Sequence, residues 1–113
     1  MASKTLKKTT KRSSRSLAPT AEIDFKTDLL EQLKDAEYAA GYLTAALEEG
    51  EAVFLLAVRD VAQAQGGLRS ISKATSLNRE SLYSMLSEKG NPRLSSLTTV
   101  LDKLGIRVQF AAA

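Results

Sequence analysis

The chain of 113 residues contains no cysteine, no histidine and no tryptophan. The lack of cysteine excludes disulfide bonds and thiolate zinc sites, and the lack of histidine removes the most versatile acid–base and metal-binding side chain. An oxygen-ligand cation site remains open in principle, but the acidic residues do not show the spacing of an EF-hand. No nucleophile–base pair or phosphate-binding loop is visible either, so we expect a protein that is not an enzyme and needs no cofactor.

Long apolar runs are also missing. No stretch is long enough to span a bilayer, and the first residues lack the hydrophobic centre of a secretory signal. A hydrophobic content of 43% is nevertheless sufficient for the core of one small domain. We therefore expect a cytoplasmic protein with one compact domain, a tail and no membrane partner.

The net charge of +3 is divided into three zones of different sign. Residues 1–20 carry six basic and no acidic side chains, residues 21–66 carry ten acidic and three basic ones, and residues 67–113 carry seven basic and three acidic ones. A basic zone suits the phosphate backbone of DNA. The acidic zone would be repelled by DNA, so it suits a different and basic partner.

The first basic zone, residues 1–20, is rich in Ser, Thr, Lys and Arg and has only Leu6 and Leu17 as large apolar side chains. This composition predicts a disordered tail. The tail could act as a basic arm that adds sequence-independent affinity for DNA. It could equally be a solubilising extension without a role, and the sequence leaves both interpretations open.

A helix-turn-helix is predicted in the carboxyl-terminal basic zone. Gly66 and Gly67 end one apolar helix, a short helix follows over about residues 70–75, and residues 76–78 are too few for anything but a tight turn. Asn78 is a good N-cap for the next helix, because its side-chain oxygen can accept a free backbone N–H. This second helix is apolar on one side only, so its other side is free to enter a major groove.

The end of this motif is marked by further punctuation. Residues 90–92, Gly-Asn-Pro, stop the second helix, and Ser95 or Ser96 is placed to cap a final helix with one apolar stripe, which Gly105 closes. An ordinary helical hairpin is the alternative interpretation of the same punctuation.

Helical spacing is equally clear in the acidic zone. Apolar residues at helical spacing predict a short helix before residue 35, a second helix capped by Asp35, and a third over about residues 52–65. The third helix is expected to be core, packed against the helix-turn-helix.

Near its carboxyl end the chain alternates apolar and polar residues with a period of two. The apolar positions are Ile106, Val108 and Phe110, which predicts a short β-strand without an obvious mate in the chain. A two-fold partner offering the same strand would satisfy this edge, so we expect a homodimer. The alternatives are a tail packed on the core and pairing with an earlier segment.

Four stretches also resemble a known family. They are 28–51 (DLLEQLKDAEYAAGYLTAALEEGE), 54–67 (FLLAVRDVAQAQGG), 77–97 (LNRESLYSMLSEKGNPRLSSL) and 100–108 (VLDKLGIRV). On these residues, the part from 67 to 106 resembles the lambda-repressor-like (Xre) DNA-binding domain. The longer part from 23 to 110 resembles the HigA-like addiction-module antidote proteins, or antitoxins.

The fold expected on both grounds is all-α. A five-helix lambda-repressor-like helix-turn-helix domain over residues 51–113, ending in the short C-terminal β-strand, is preceded by extra acidic helices over residues 21–50. Two serines depart from the usual pattern of the motif, which has Ala and Gly at these positions. Ser72 would bring a hydroxyl into a tight helix–helix contact, which is tolerable if it bonds back to the carbonyl four residues earlier. A left-handed conformation at Ser76 would cost about 1 kcal/mol.

The repressor pattern assigns the DNA contacts. Arg79, Glu80 and Ser84 are placed to meet base edges, and Arg79 suits guanine because its fork can bond two acceptors at once. Any single Lys or Arg could instead be a solvated surface charge. The candidate phosphate contacts are Asn78, Ser81, Tyr83, Lys73, Lys89 and Arg93, with Arg69 as a further one.

The family resemblance implies the function of a type II antitoxin. Such a protein neutralises a small basic RelE/HigB-like toxin and represses its own operon by binding double-stranded operator DNA. The alternative is a prophage-type Xre repressor without a toxin partner, in which the acidic helices only stabilise the fold and Tyr38 and Tyr42 simply pack. The candidate toxin-binding residues are Phe25, Leu29, Leu33, Tyr38, Tyr42, Glu31, Asp35 and Glu37.

Overall fold

The computed structural model of the chain describes the backbone of residues 18–113 and the side chains of residues 25–113. Residues 18–113 form six helices and no strand, so this part of the chain is all-α as expected. The predicted tail lies outside the described residues up to residue 17, and its last three residues already belong to the first helix. The helices are α1 (Ala18–Gln32), α2 (Ala36–Glu49), α3 (Glu51–Ala64), α4 (Gly67–Thr75), α5 (Arg79–Met85) and α6 (Leu94–Lys103).

Two of the predicted helix starts illustrate how local chemistry sets the boundaries. The Asp35 carboxylate accepts the backbone N–H of Tyr38 at 2.9 Å, which confirms the predicted cap of α2. The prediction that Ser95 or Ser96 caps α6 is wrong. The helix begins at Leu94, so both serines lie inside its first turn. Arg93 is the extended residue at the cap position, where it makes no side-chain bond and its carbonyl accepts the N–H of Leu97 at 3.0 Å.

Helix α3 lies at the centre of the fold, in contact with α1, α2 and α4. Full burial of one aliphatic side chain stabilises a fold by about 1.5–3 kcal/mol, so this helix contributes a large part of the core. The acidic helices over residues 21–50, here called the acidic half, contribute Leu33, Ala39, Leu43 and Ala46 to the same core. The inward residues of α3, each no more than 3% exposed, are Leu55, Ala57, Val58, Val61 and Ala62.

The chain after α6 turns sharply at a left-handed Gly105, whose φ is +81°. The N–H of Ile106 donates to the carbonyl of Leu101 at 2.9 Å and that of Gly105 to Asp102 at 3.1 Å, the paired bonds of a Schellman motif. Ile106 thereby packs against the core, and Gly105 ends the last helix as predicted.

The predicted strand is not formed. Residues 106–113 have no regular secondary structure, because a strand needs a second strand and residues 18–113 of one chain offer none. Residues 51–113 contain four helices, α3 to α6, so the five helices expected for the repressor-like domain are not confirmed.

A polar contact on the outer side of α3 joins the three amino-terminal helices. The Asp60 carboxylate accepts the hydroxyl of Tyr42 from α2 at 2.8 Å and the ammonium of Lys26 from α1 at 3.4 Å. Burial raises the pKa of Tyr42 to about 12, and the hydrogen bond to Asp60 and its negative charge add to the rise. Tyr42 therefore keeps its proton well above the pH at which a free tyrosine loses it.

This raised pKa predicts a pH dependence of stability. The contribution of Tyr42 to the free energy of unfolding is complete below its ordinary pKa of 10.0. It is lost as the pH rises through about 12, because the tyrosine loses its proton at a lower pH in the unfolded chain than in the folded one. We expect the free energy of unfolding in urea to fall over this range, and Tyr42→Phe to remove that part of the fall. Tyr38→Phe, which leaves the bond between Tyr42 and Asp60 intact, is the control. An unchanged pH dependence in Tyr42→Phe would contradict the assignment.

Candidate nucleic-acid interface

The turn between α4 and α5 is built from residues 76–78. Ser76 has φ +65° and ψ +10°, the left-handed conformation expected of it, and its N–H donates to the carbonyl of Ser72 at 3.0 Å. The hydroxyl of Ser72 is satisfied by a forward bond, which it donates to the carbonyl of Leu77 at 2.6 Å, rather than by a bond back to residue 68. Thr75 completes the turn, because its hydroxyl accepts the N–H of Leu77 at 3.2 Å. Side-chain hydrogen bonds thus hold a turn in which a serine, Ser76, takes the left-handed conformation.

Helix α5 begins at the residue after Asn78. The side-chain oxygen of Asn78 accepts the N–H of Glu80 at 2.7 Å and that of Ser81 at 3.2 Å, which confirms the predicted N-cap. Such a cap stabilises a helix by about 1 kcal/mol. It also fixes the direction in which α5 leaves the turn, and so the direction of its exposed residues.

The exposed side of α5 carries the residues that sequence reasoning assigned to DNA. Leu82 is completely buried, as is Leu86 after the helix end, and Met85 is half-buried. The expected one-sided burial is therefore confirmed. The exposed residues of α5 are Arg79, Glu80, Ser81, Tyr83 and Ser84.

Tyr83 has a second cationic neighbour that sequence reasoning missed. The guanidinium carbon of Arg79 lies 5.9 Å from the centroid of the Tyr83 ring, and that of Arg59, on α3, lies 5.2 Å from it. Both distances are within the range of a cation–π interaction, about 6 Å. The sequence offers one signal that singles out Arg59, which is the only basic residue between residues 35 and 68.

The three lysine and arginine candidates for phosphate contact outside α5 are exposed. Lys73 lies in the last turn of α4, Lys89 in the loop after α5, and Arg93 at the start of α6. The ion pairs seen among residues 25–113 are Lys26–Asp60 and Lys34–Glu31, so none of the three is neutralised by a carboxylate in this part of the chain. They remain available to an anionic ligand.

The candidate toxin-binding residues are only partly at the surface. Phe25 and Tyr38 are exposed, at 71% and 43%, and Glu37 is exposed as well. Glu31 is exposed and pairs with Lys34 at 3.1 Å. Leu29 is half-buried and packs against the core.

The other three have structural roles, of which the capping of α2 by Asp35 was predicted. Leu33 is 0% exposed, so its assignment to a binding surface is wrong for this fold, because its side chain belongs to the hydrophobic core. Asp35 uses its carboxylate to cap α2, and Tyr42 gives its hydroxyl to Asp60. The structure therefore does not bring the eight candidates together on one surface.

The three candidate dimerisation residues also differ in exposure. Ile106 is half-buried against the core, whereas Val108 and Phe110 are 47% and 97% exposed. A shallow groove between α6 and this segment is lined in part by Thr98 and Asp102. The outer part of the segment is thus accessible to a second chain.

Two kinds of site are not seen in the described part of the chain. Residues 25–113 contain no group of three acidic side chains placed to hold a metal ion. None of the helices that could be assessed has both the length and the apolar character needed to cross a membrane.

Comparison with known proteins extends over nearly the whole described chain. Residues 24–112 match the model of a family described as "probable addiction module antidote protein". The chain is also 31% identical over 83 residues to an uncharacterized protein of Haemophilus influenzae, an alignment that covers 73% of this chain and 84% of that protein. No solved structure matches.

The left-handed Ser76 yields a stability prediction for the turn. Ser76→Gly should raise the free energy of unfolding by up to about 1 kcal/mol, because glycine adopts this conformation without steric cost. Ala74→Gly, at an exposed position inside α4, is the matched control and should lower it by roughly 0.5–1 kcal/mol. Urea unfolding measures both. A loss of stability in Ser76→Gly equal to that in Ala74→Gly would show that the turn carries no strain at Ser76.

Proposed function

Because the chain belongs to the family of probable addiction module antidote proteins, we propose that it is the antitoxin of a type II toxin–antitoxin module. In this proposal it neutralises a small basic RelE/HigB-like toxin through its acidic helices and represses its own operon through α4 and α5. The observation that carries the proposal is the match of residues 24–112 to that family.

The one-sided burial of α5 supports binding to operator DNA. A helix anchored by a buried Leu82 and started by the Asn78 cap presents Arg79, Glu80 and Ser84 to solvent, as a recognition helix in a major groove would. Lys73, Lys89 and Arg93 are exposed and have no ion pair with a carboxylate of residues 25–113, so they suit the DNA backbone, because phosphate contacts position a protein while base contacts specify the sequence.

The charge of the amino-terminal helices supports a basic protein partner. Residues 21–66 carry ten acidic and three basic side chains, and exposed aromatic residues lie in the same zone. Aromatic anchors rimmed by charges of opposite sign to the partner are typical of protein interfaces. We assign direct toxin contact to the exposed candidates Phe25, Tyr38, Glu31 and Glu37.

We also propose that the protein acts as a homodimer through Val108 and Phe110, which would pair with the same residues of a second chain. A dimer would match an operator with two half-sites about one helical turn apart. The nearly complete exposure of Phe110 supports this surface.

The DNA-binding proposal predicts different losses for a base contact and a phosphate contact. Arg79→Ala should weaken binding to a duplex carrying the chain's own promoter region by about 1–3 kcal/mol and relax preference at one base pair. Lys89→Ala should weaken all sequences similarly and lower the salt dependence of binding. Fluorescence anisotropy at several salt concentrations measures both effects. Equal losses from the two substitutions on a random duplex would contradict the base-reading role of Arg79.

The toxin-binding proposal is best tested by two matched charge reversals. Glu37 and Glu51 are exposed acids in the first turns of α2 and α3, so a lysine at either position carries a similar cost at a helix N-terminus. Glu37→Lys should weaken co-purification with the basic protein encoded beside the gene and reduce protection of growth from it. Glu51→Lys should retain both. No complex between that neighbouring protein and the wild-type chain would favour a prophage-type repressor without a toxin.

The dimer proposal predicts a change of mass in solution. Phe110→Asp should shift the chain from dimer to monomer in sedimentation equilibrium, because two buried carboxylates would face each other across the two-fold axis. Ala45→Asp, an exposed change on α2 that adds the same charge away from this segment, is the control. A wild-type chain that sediments as a monomer at tens of micromolar would exclude this dimer.

A further inference from the structure

Two arginines from different helices meet at one aromatic ring. Arg59 lies on α3, outside the helix-turn-helix, and Arg79 is the first residue of α5. Their guanidinium carbons lie 5.2 Å and 5.9 Å from the centroid of the Tyr83 ring. Tyr83 is itself 43% exposed, so the cluster of Arg59, Tyr83 and Arg79 opens to solvent on the side where α5 presents its polar residues.

The cluster is positively charged and has no carboxylate of its own. Neither arginine takes part in the ion pairs seen among residues 25–113. The nearest acid in sequence to Arg59 is Asp60, whose two oxygens are occupied by Tyr42 and Lys26. Two like charges near each other are unfavourable, and the attraction of each to the ring offsets part of this cost. An anion in contact with either guanidinium group would offset more of it.

The aromatic ring of Tyr83 can therefore position the two arginines without help from its hydroxyl group. A ring that attracts both guanidinium groups restricts their rotamers before any ligand arrives, which reduces the entropy lost on binding. Arginine also suits phosphate better than lysine does, because its planar fork can form two parallel hydrogen bonds. The cluster extends the positive surface from α5 onto α3.

We propose that Tyr83 is a positioning residue whose ring holds Arg59 beside Arg79, and that Arg59 contacts a phosphate of the DNA backbone next to the base pair that Arg79 reads. This inference rests on the proposed DNA binding. It adds a contact from a helix outside the helix-turn-helix, and it assigns the role of Tyr83 to its ring.

The arrangement of the cluster can be tested in the free protein. In NMR spectra of the wild-type chain, the side-chain methylene protons of Arg59 and Arg79 should be shifted upfield by the ring current of Tyr83. Tyr83→Phe should retain these shifts, and Tyr83→Leu should lose them. Arginine shifts that are the same in all three proteins would overturn the positioning role without any reference to DNA.

The phosphate contact is tested with a random-sequence duplex, because phosphate contacts do not depend on sequence. The slope of log affinity against log salt should fall by about 0.9 in Arg59→Ala, the value expected for one lost phosphate contact. Arg59→Lys should keep most of the slope. Lys34→Ala, which removes an equal charge from the acidic half, should leave it unchanged. Urea unfolding of each variant identifies any loss of fold.

The outcomes separate this inference from the proposed function. A wild-type slope that persists in Arg59→Ala, together with a loss in Lys89→Ala, would overturn the role of Arg59 and leave DNA binding intact. A wild-type chain without salt-dependent binding to the duplex would overturn both. A slope reduced in Arg59→Ala and Tyr83→Leu but retained in Tyr83→Phe and Lys34→Ala is the expected result.

Discussion

The burial of α3 is the constraint on which the rest of the fold depends. Its inward side chains contact the acidic helices on one side and α4 on the other, so removal of any neighbouring helix would expose part of the same core. A chain of this size has few other apolar contacts with which to compensate, because small domains bury a limited fraction of their surface. The acidic half and the basic half, residues 67–113, consequently share one hydrophobic core, although their net charges have opposite signs.

The polar side of α3 connects the two halves in a second way. Asp60 receives the hydroxyl of Tyr42 and the ammonium of Lys26 from the acidic half, while the preceding residue, Arg59, reaches the ring of Tyr83 on α5. Consecutive residues on a helix point about 100° apart, so a single helix can hold one group on each side. Helix α3 thus sets the positions of both proposed binding surfaces.

Much of the local structure could be predicted from the sequence, because the signals involved span only a few residues. Asn78 and Asp35 cap helices through bonds to residues two or three positions ahead, and Ser76 occupies the turn position where a left-handed residue is needed. The contact between Arg59 and Tyr83 is not given by any local pattern, since it joins residues that are distant in sequence and depends on how α3 lies relative to α5.

The errors at Leu33 and at the predicted strand have the same origin. Helical spacing placed Leu33 in an apolar stripe, but whether that stripe faces solvent is decided by the helix packed against it. Apolar and polar residues alternate from Ile106 onwards, but the turn at Gly105 packs the side chain of Ile106 against the core. Sequence patterns describe one element at a time, and these residues are governed by contacts between elements.

The shared core also bears on how such a protein is turned over in a cell. Proteases act mainly on chains that have opened. The buried residues of the described helices form one core, so no helix stays folded on a core of its own. Opening of the acidic half would therefore expose α3 and loosen α4 and α5 with it. A ligand bound at either end stabilises the whole folded chain by mass action, so a partner held by one half would prolong the lifetime of the other.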